Sequence, residues 1–134
     1  MAVRVVIADD EWLIAAQMRG EMEKQGYEVV AVAGTGAQAL DLCLQHSPGL
    51  VLMDIKMPDM DGLEATTRIM SACPTCVVIV TGNPSMNGEA DRAGAMGYVV
   101  KPLTPDKISA TMPAARERFA RLLAGRDGSS AEDG

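Results

Sequence analysis

Apolar runs and helical stripes alternate along the whole chain. Val3–Ala8 is apolar at every position except Arg4, the pattern of a strand covered on both faces. Over Glu11–Gln25, Ile14, Met18 and Met22 recur at helical spacing. This predicts a helix with one buried stripe, which Gly26 is placed to end. Tyr27–Ala33 predicts a second strand. Ala37–Gln45 predicts a second helix, stopped by Ser47-Pro48-Gly49, and Leu50–Asp54 a third strand. Asp61 and Glu64 have capping-box spacing, so a third helix starts near Gly62 and runs to about Ser71. Cys76–Val80 predicts a fourth strand, Gly88–Ala93 a short fourth helix in a Gly- and Asn-rich stretch, and Tyr98–Val100 a fifth strand.

Thr104-Pro105 caps and opens a last helix, with Ile108, Met112, Ala115, Phe119 and Leu122 as its stripe. Pro113 interrupts that stripe. A proline there removes a backbone donor and crowds the preceding turn, so a kink or break is expected. Residues 124–134 (AGRDGSSAEDG) form a polar stretch expected to be a flexible tail after a domain spanning residues 1–123. Five strands alternating with five helices imply an α/β fold. With right-handed crossovers, the expected architecture is a doubly wound parallel sheet of flavodoxin-like order 2-1-3-4-5, with helices on both faces.

Composition narrows the function classes. The 134 residues are 48% hydrophobic, enough for one well-formed core, and ten methionines supply much of the apolar volume. Twelve Lys and Arg against eighteen Asp and Glu leave a net charge of −6. No basic face is available for phosphate backbones, so direct nucleic-acid binding is not expected. No apolar run approaches a membrane span, and Met1–Asp10 reads as a strand ending in acid rather than a signal peptide. Three cysteines without a secretion signal point to a cytoplasmic chain.

The expected topology brings chemistry to one edge. Asp9, Asp10 and Glu11 follow the first strand, Asp54 ends the third, Thr81-Gly82 the fourth and Lys101-Pro102 the fifth. In a 2-1-3-4-5 sheet these carboxyl ends are neighbours, where ligands of such folds bind. Clustered carboxylates repel, and a hard divalent cation such as Mg²⁺ relieves the repulsion. Lys101 is placed to hold an anion against that metal, Thr81 supplies a hydroxyl, and Gly82 gives access to the backbone. The combination suits phosphoryl transfer onto a carboxylate. Each residue alone has a plainer reading, Asp9 or Asp10 as a helix cap and Lys-Pro as a turn. Their joint placement is what separates the two.

IADDE at 7–11, LVLMDIKMPDMDG at 50–62, VIVTG at 78–82 and GYVVKP at 97–102 together resemble the receiver domain of two-component response regulators, over roughly Val3–Leu123. The resemblance implies that Asp54 is the phosphoryl-accepting nucleophile. It implies that Asp10, Asp54 and the backbone carbonyl of Lys56 ligate Mg²⁺, with Asp9 acting through a metal-bound water. Thr81 and Lys101 would contact phosphoryl oxygens, helped by the N–H groups of Ile55, Lys56 and Gly82. Lys101–Pro102 matches the family's cis peptide bond. Tyr98 stands at the aromatic switch position, where the ring swings inward as Thr81 moves. The implied partners are a histidine kinase or histidine phosphotransferase and a downstream protein. The surface of fourth helix, fifth strand and last helix would change shape or mediate homodimerisation. Gly82 stands where alanine is usual, and Lys56 and Asn83 occupy positions that tune dephosphorylation. The last helix, with Pro113 and Phe119, resembles receivers followed by an antiterminator RNA-binding domain, which these residues do not contain. No turnover enzyme is expected beyond self-catalysed transfer to Asp54 and its autodephosphorylation.

Other motifs compete. GTGAQA at 34–39 matches a dinucleotide fingerprint, with Gly34 and Gly36 at the phosphate turn and Asp54 at the ribose-binding distance, which would make an oxidoreductase domain. It leaves Asp9, Asp10, Thr81 and Lys101 without a role. An aspartyl-phosphate phosphatase would need a second acid two residues past its nucleophile, where this chain has Lys56. Cys73-Pro-Thr-Cys76, Cys43 and His46 gather at the opposite end, a loose match to a redox or zinc site against which buried, inert cysteines are the plainer reading. Trp12 adjoins the acids, as a cleft shield, a partner contact or a simple surface residue. The late arginines 116, 118, 121 and 126 read first as a solvated helix end.

Overall fold

The computed structural model describes residues 1–133, with side chains described through Gly125. Its elements are β1 (Arg4–Ala8), α1 (Trp12–Lys24), β2 (Glu28–Ala33), α2 (Gly36–His46), β3 (Leu50–Met53), α3 (Gly62–Ala72), β4 (Val77–Thr81), α4 (Asn87–Ala93), β5 (Gly97–Val100) and α5 (Pro105–Asp133). All strand pairs are parallel, in the order β2-β1-β3-β4-β5. The sequence-based order and the element boundaries agree with this to within a residue or so, except at the end of the last helix.

Burial explains the apolar runs. Alternate residues of the central strands face opposite sides of the sheet. Val5, Ile7, Leu50, Leu52, Val78 and Val80 pack with Ala15, Met18 and Met22 of α1 and with Ile108, Met112 and Ala115 of α5. Val6, Ala8, Val51, Met53, Val77 and Ile79 pack with Ala39 and Cys43 of α2, Ala65 and Ile69 of α3 and Ala90 of α4. Both faces are covered, so these stretches of the central strands carry no polar residues on either face. Each fully buried Ile, Leu or Met contributes roughly 1.5–3 kcal/mol relative to exposure. Local signals set the helix starts. The side chain of Thr35 accepts from the Gln38 N–H, and that of Asp61 from the Glu64 N–H at 2.8 Å.

Pro113 is the main correction. α5 is continuous through it, so the expected break does not occur. Pro113 is exposed, while Met112 and Ala115 on either side are buried against the sheet. The proline ring thus lies on the solvent face, and packing of the opposite stripe holds the helix together. The helical backbone also continues past Leu123, where the domain was expected to end. Beyond Gly125 the expected flexible tail lies outside the residues whose side chains are described. Among the described residues no helix is long and apolar enough to cross a membrane.

Candidate acidic site at the strand ends

The carboxyl ends of β1, β3, β4 and β5 converge as the topology requires. Ladder bonds continue past the strands: the Asp9 N–H donates to Ala33 O, Asp54 N–H to Ala8 O at 2.9 Å, and Lys101 N–H to Thr81 O at 2.8 Å. These bonds tie the backbone of the polar residues to the sheet. One oxygen from each of Asp9, Asp10 and Asp54 lies within 4.8 Å of the others. The Lys101 ammonium donates to Asp9 Oδ2 at 2.8 Å and lies 3.5 Å from Asp54 Oδ1. Asp10, Asp54, Lys56, Thr81, Gly82 and Lys101 line one open cleft of about 1140 Å³, together with Met57 and Met86.

The three acids are not equivalent. Asp9 is buried and uses both oxygens, one on Lys101 and the other accepting from the Glu11 N–H at 2.9 Å. Asp10 is exposed and faces the cleft. Asp54 is 6% exposed. Burial first, and the Asp9 carboxylate second, push its carboxyl above the ordinary range; the Lys101 ammonium and the Ile55 N–H pull it back. Burial works against the charge on Lys101, but its bonds to Asp9 and Asp54 outweigh this and raise its pKa. A cluster of hard oxygen donors at this spacing fits a divalent cation of the Mg²⁺ type.

The turn chemistry after Asp54 also has a cause. The loop folds back so that the Gly62 N–H donates to Ile55 O and the Gly36 N–H to Met60 O. A side chain at Gly62 would run into the Asp54 carbonyl, and one at Gly36 into the Met60 carbonyl. Asp59 takes a left-handed φ of 69° at the loop tip. Gly82, by contrast, has open space where a Cβ would stand, so nothing steric requires glycine there. The Lys101–Pro102 peptide is cis.

Tyr98 is half-buried beside the cleft. Its hydroxyl donates to Asn83 O and accepts from the Met86 N–H at 3.1 Å. The Asn83 N–H in turn donates to Thr81 Oγ1 at 3.3 Å. Residue 83 thus touches both Thr81 and Tyr98, a link that sequence spacing does not reveal.

A scan against family models matches residues 5–112 to the response regulator receiver domain. The chain belongs to that family. This receiver is 40% identical over 111 residues to the chemotaxis protein CheY of Bacillus subtilis, covering 81% of the chain and 92% of CheY. It is 37% identical over 123 residues to the transcriptional regulatory protein PdtaR of Mycobacterium tuberculosis, covering 90% of the chain but only 60% of PdtaR. The chain therefore spans about 60% of the length of that regulator. Among solved structures, the CheY-like receiver of Methanospirillum hungatei superposes with a TM-score of 0.80 at 28% identity, covering 91% of this chain and 99% of that one. Membership makes the chain a receiver module of two-component signalling.

The competing motifs dissolve in the receiver's geometry. At the GTGAQA turn, Gln38 Oε1 accepts from the Gly34 N–H at 2.8 Å, and Met60 O and Thr35 Oγ1 take the N–H groups of Gly36 and Gln38. Three of the N–H donors a dinucleotide phosphate would use are thus already taken, and β2 is an edge strand. Cys73 and Cys76 pack on opposite faces of the sheet, so the C-x-x-C cannot act as a pair. Burial pushes the Cys43 thiol up to about 12 and Cys76 to about 11. Among the described residues the acids at the strand ends are the only cluster of metal-ligand type, so no zinc site joins Cys43, Cys73, Cys76 and His46.

Proposed function

We propose that this receiver is a phosphorylation-dependent switch in which Asp54 accepts a phosphoryl group from a histidine kinase or histidine phosphotransferase. The observation that carries the reading is the single ammonium of Lys101 held against both Asp9 and Asp54, with Asp10 in the same cluster. An Asp54 oxygen attacks phosphorus, the bond to the donor's imidazole nitrogen breaks, and that imidazole keeps the electron pair and takes up a proton. Lys101 turns from the carboxylates to the transferred oxygens, and the Thr81 hydroxyl and the N–H groups of Ile55, Lys56 and Gly82 donate to them. Asp10, Asp54 and the Lys56 carbonyl would hold Mg²⁺, with Asp9 acting through a water, in keeping with both Asp9 oxygens being engaged. When bound, the ion neutralises charge spread over the oxygens in transfer.

The output follows from Asn83. As Thr81 moves toward the phosphoryl group, it gives up the Asn83 N–H, and the Asn83 carbonyl loosens its hold on Tyr98. The ring is then free to turn inward. The surface of α4, β5 and α5, grooved by about 490 Å³ beside Tyr98, repacks as a population shift between two states. That face would engage the downstream protein or a second copy of the chain. Acetyl phosphate with Mg²⁺, read by intact mass, tests the core of this: one phosphoryl group is expected on the wild type and none on Asp54→Ala. An unmodified wild type, or a modified mutant, refutes it.

A further inference from the structure

Lys107 stands in the first turn of α5, where the positive end of the helix dipole disfavours a cation. Its ammonium is nonetheless held there, donating to Val100 O at 2.7 Å and Pro102 O at 3.0 Å. Those two carbonyls flank Lys101. The Lys101 N–H is in turn bonded to Thr81 O. Lys107 therefore clasps both sides of the residue whose side chain reaches Asp9 and Asp54, and it does so without touching the acids. Charge-assisted bonds of this kind are about twice as strong as neutral ones. They stiffen a loop containing a proline, which can offer no N–H of its own to the ladder.

We infer that Lys107 is a positioning residue for phosphoryl transfer: by bonding the carbonyls of Val100 and Pro102 it fixes the backbone from which the Lys101 ammonium reaches the acids and the transferred oxygens. The inference rests on the proposed role of Asp54 and Lys101. A misplaced Lys101 stabilises the transferred oxygens less well, so the rate falls while the carboxylates on β1 and β3 remain intact.

The test is acetyl phosphate labelling with Mg²⁺, followed by intact mass. Lys107→Met keeps the aliphatic stem and removes the donors; Lys107→Arg keeps a charged double donor. The saturating rate of Lys107→Met is expected to fall about tenfold, with Mg²⁺ affinity, followed by Trp12 fluorescence, unchanged. Lys107→Arg should recover most of the rate. In a Lys101→Met background, Lys107→Met should add little, because both act through one ammonium. The inference is overturned if Lys107→Met reacts at the wild-type rate, if Lys107→Arg loses as much as Lys107→Met, or if the full loss recurs without Lys101. Should Lys107→Met fail to fold, Lys107→Ala is judged by the same criteria. Failure of the wild type to label at Asp54 would instead strike at the parent reading.

Discussion

Replacing the buried Asp54 should make the protein more stable. Asp54 and Asp9 present oxygens within 4.8 Å of each other, a repulsion of about 3.5 kcal/mol at an effective dielectric of ~20. Lys101, 3.5 Å from Asp54, returns about 5 kcal/mol on the same scale. Asp10 lies in the same cluster but is exposed, so screening leaves it about 2 kcal/mol of repulsion. These pair terms nearly cancel, and the desolvation of a buried carboxylate remains. Asp54→Asn removes that cost while keeping shape and an acceptor, and Lys101 keeps its bond to Asp9. The expected gain is about 1–3 kcal/mol at neutral pH, a melting temperature higher by about 4–10 °C. The pH dependence has a definite sign. The folded-state pKa of Asp54 is raised, chiefly by burial. The native state thus holds this proton more tightly than the unfolded chain, and wild-type stability drops as pH rises from the ordinary carboxylate range through the folded value. Thermal melts followed by circular dichroism should show the mutant's advantage full at pH 7 and shrinking as pH falls toward 4. Mg²⁺ should raise the wild-type melting temperature more than the mutant's. A mutant no more stable than wild type at pH 7, or an advantage undiminished in acid, would refute the reasoning.

Gly62→Ala should destabilise by about 3 kcal/mol in urea titrations, because the new methyl meets a backbone carbonyl rather than a pliable side chain; a loss under about 1 kcal/mol would mean the loop yields easily. Iodoacetamide at pH 8 should label Cys73 ahead of Cys43 and Cys76, whose thiols lie near 12 and 11, with all three labelled in denaturant; native labelling of Cys43 first would contradict the burial argument. Pro113→Ala should stabilise by about 1–2 kcal/mol, since it restores a helical N–H on an exposed face at the cost of a looser unfolded chain; a lower melting temperature would show that the proline serves the fold.

Some of this is legible in the sequence alone. Val3–Ala8 and Leu50–Asp54 announce doubly covered strands because burial on both faces removes polar alternation, a purely local record. Asp61 announces the start of α3 because a cap acts within a single turn. The acid site was legible as well, since each of its residues ends a strand and the strand order follows from few topological options. The break at Pro113 does not form because the penalty for a helix proline is local, whereas the packing of Met112 and Ala115 that outweighs it is not. The GTGAQA turn matches a fingerprint that only the folded chain explains away, because the N–H groups of Gly34 and Gly36 are taken by Gln38 and by Met60, the latter distant in sequence.

By itself, then, the order of apolar and polar residues determined the five strands, the crossovers and which side chains reach the common edge, because these depend on periodicity and chirality along the chain. Only the tertiary structure decided how those groups are held: Lys107 on the two carbonyls beside Lys101, Asn83 between Thr81 and Tyr98, and the cysteines on opposite faces of the sheet. Such contacts join residues whose separation carries no period, and hydrogen bonds and desolvation depend on distances that exist only once the chain has packed.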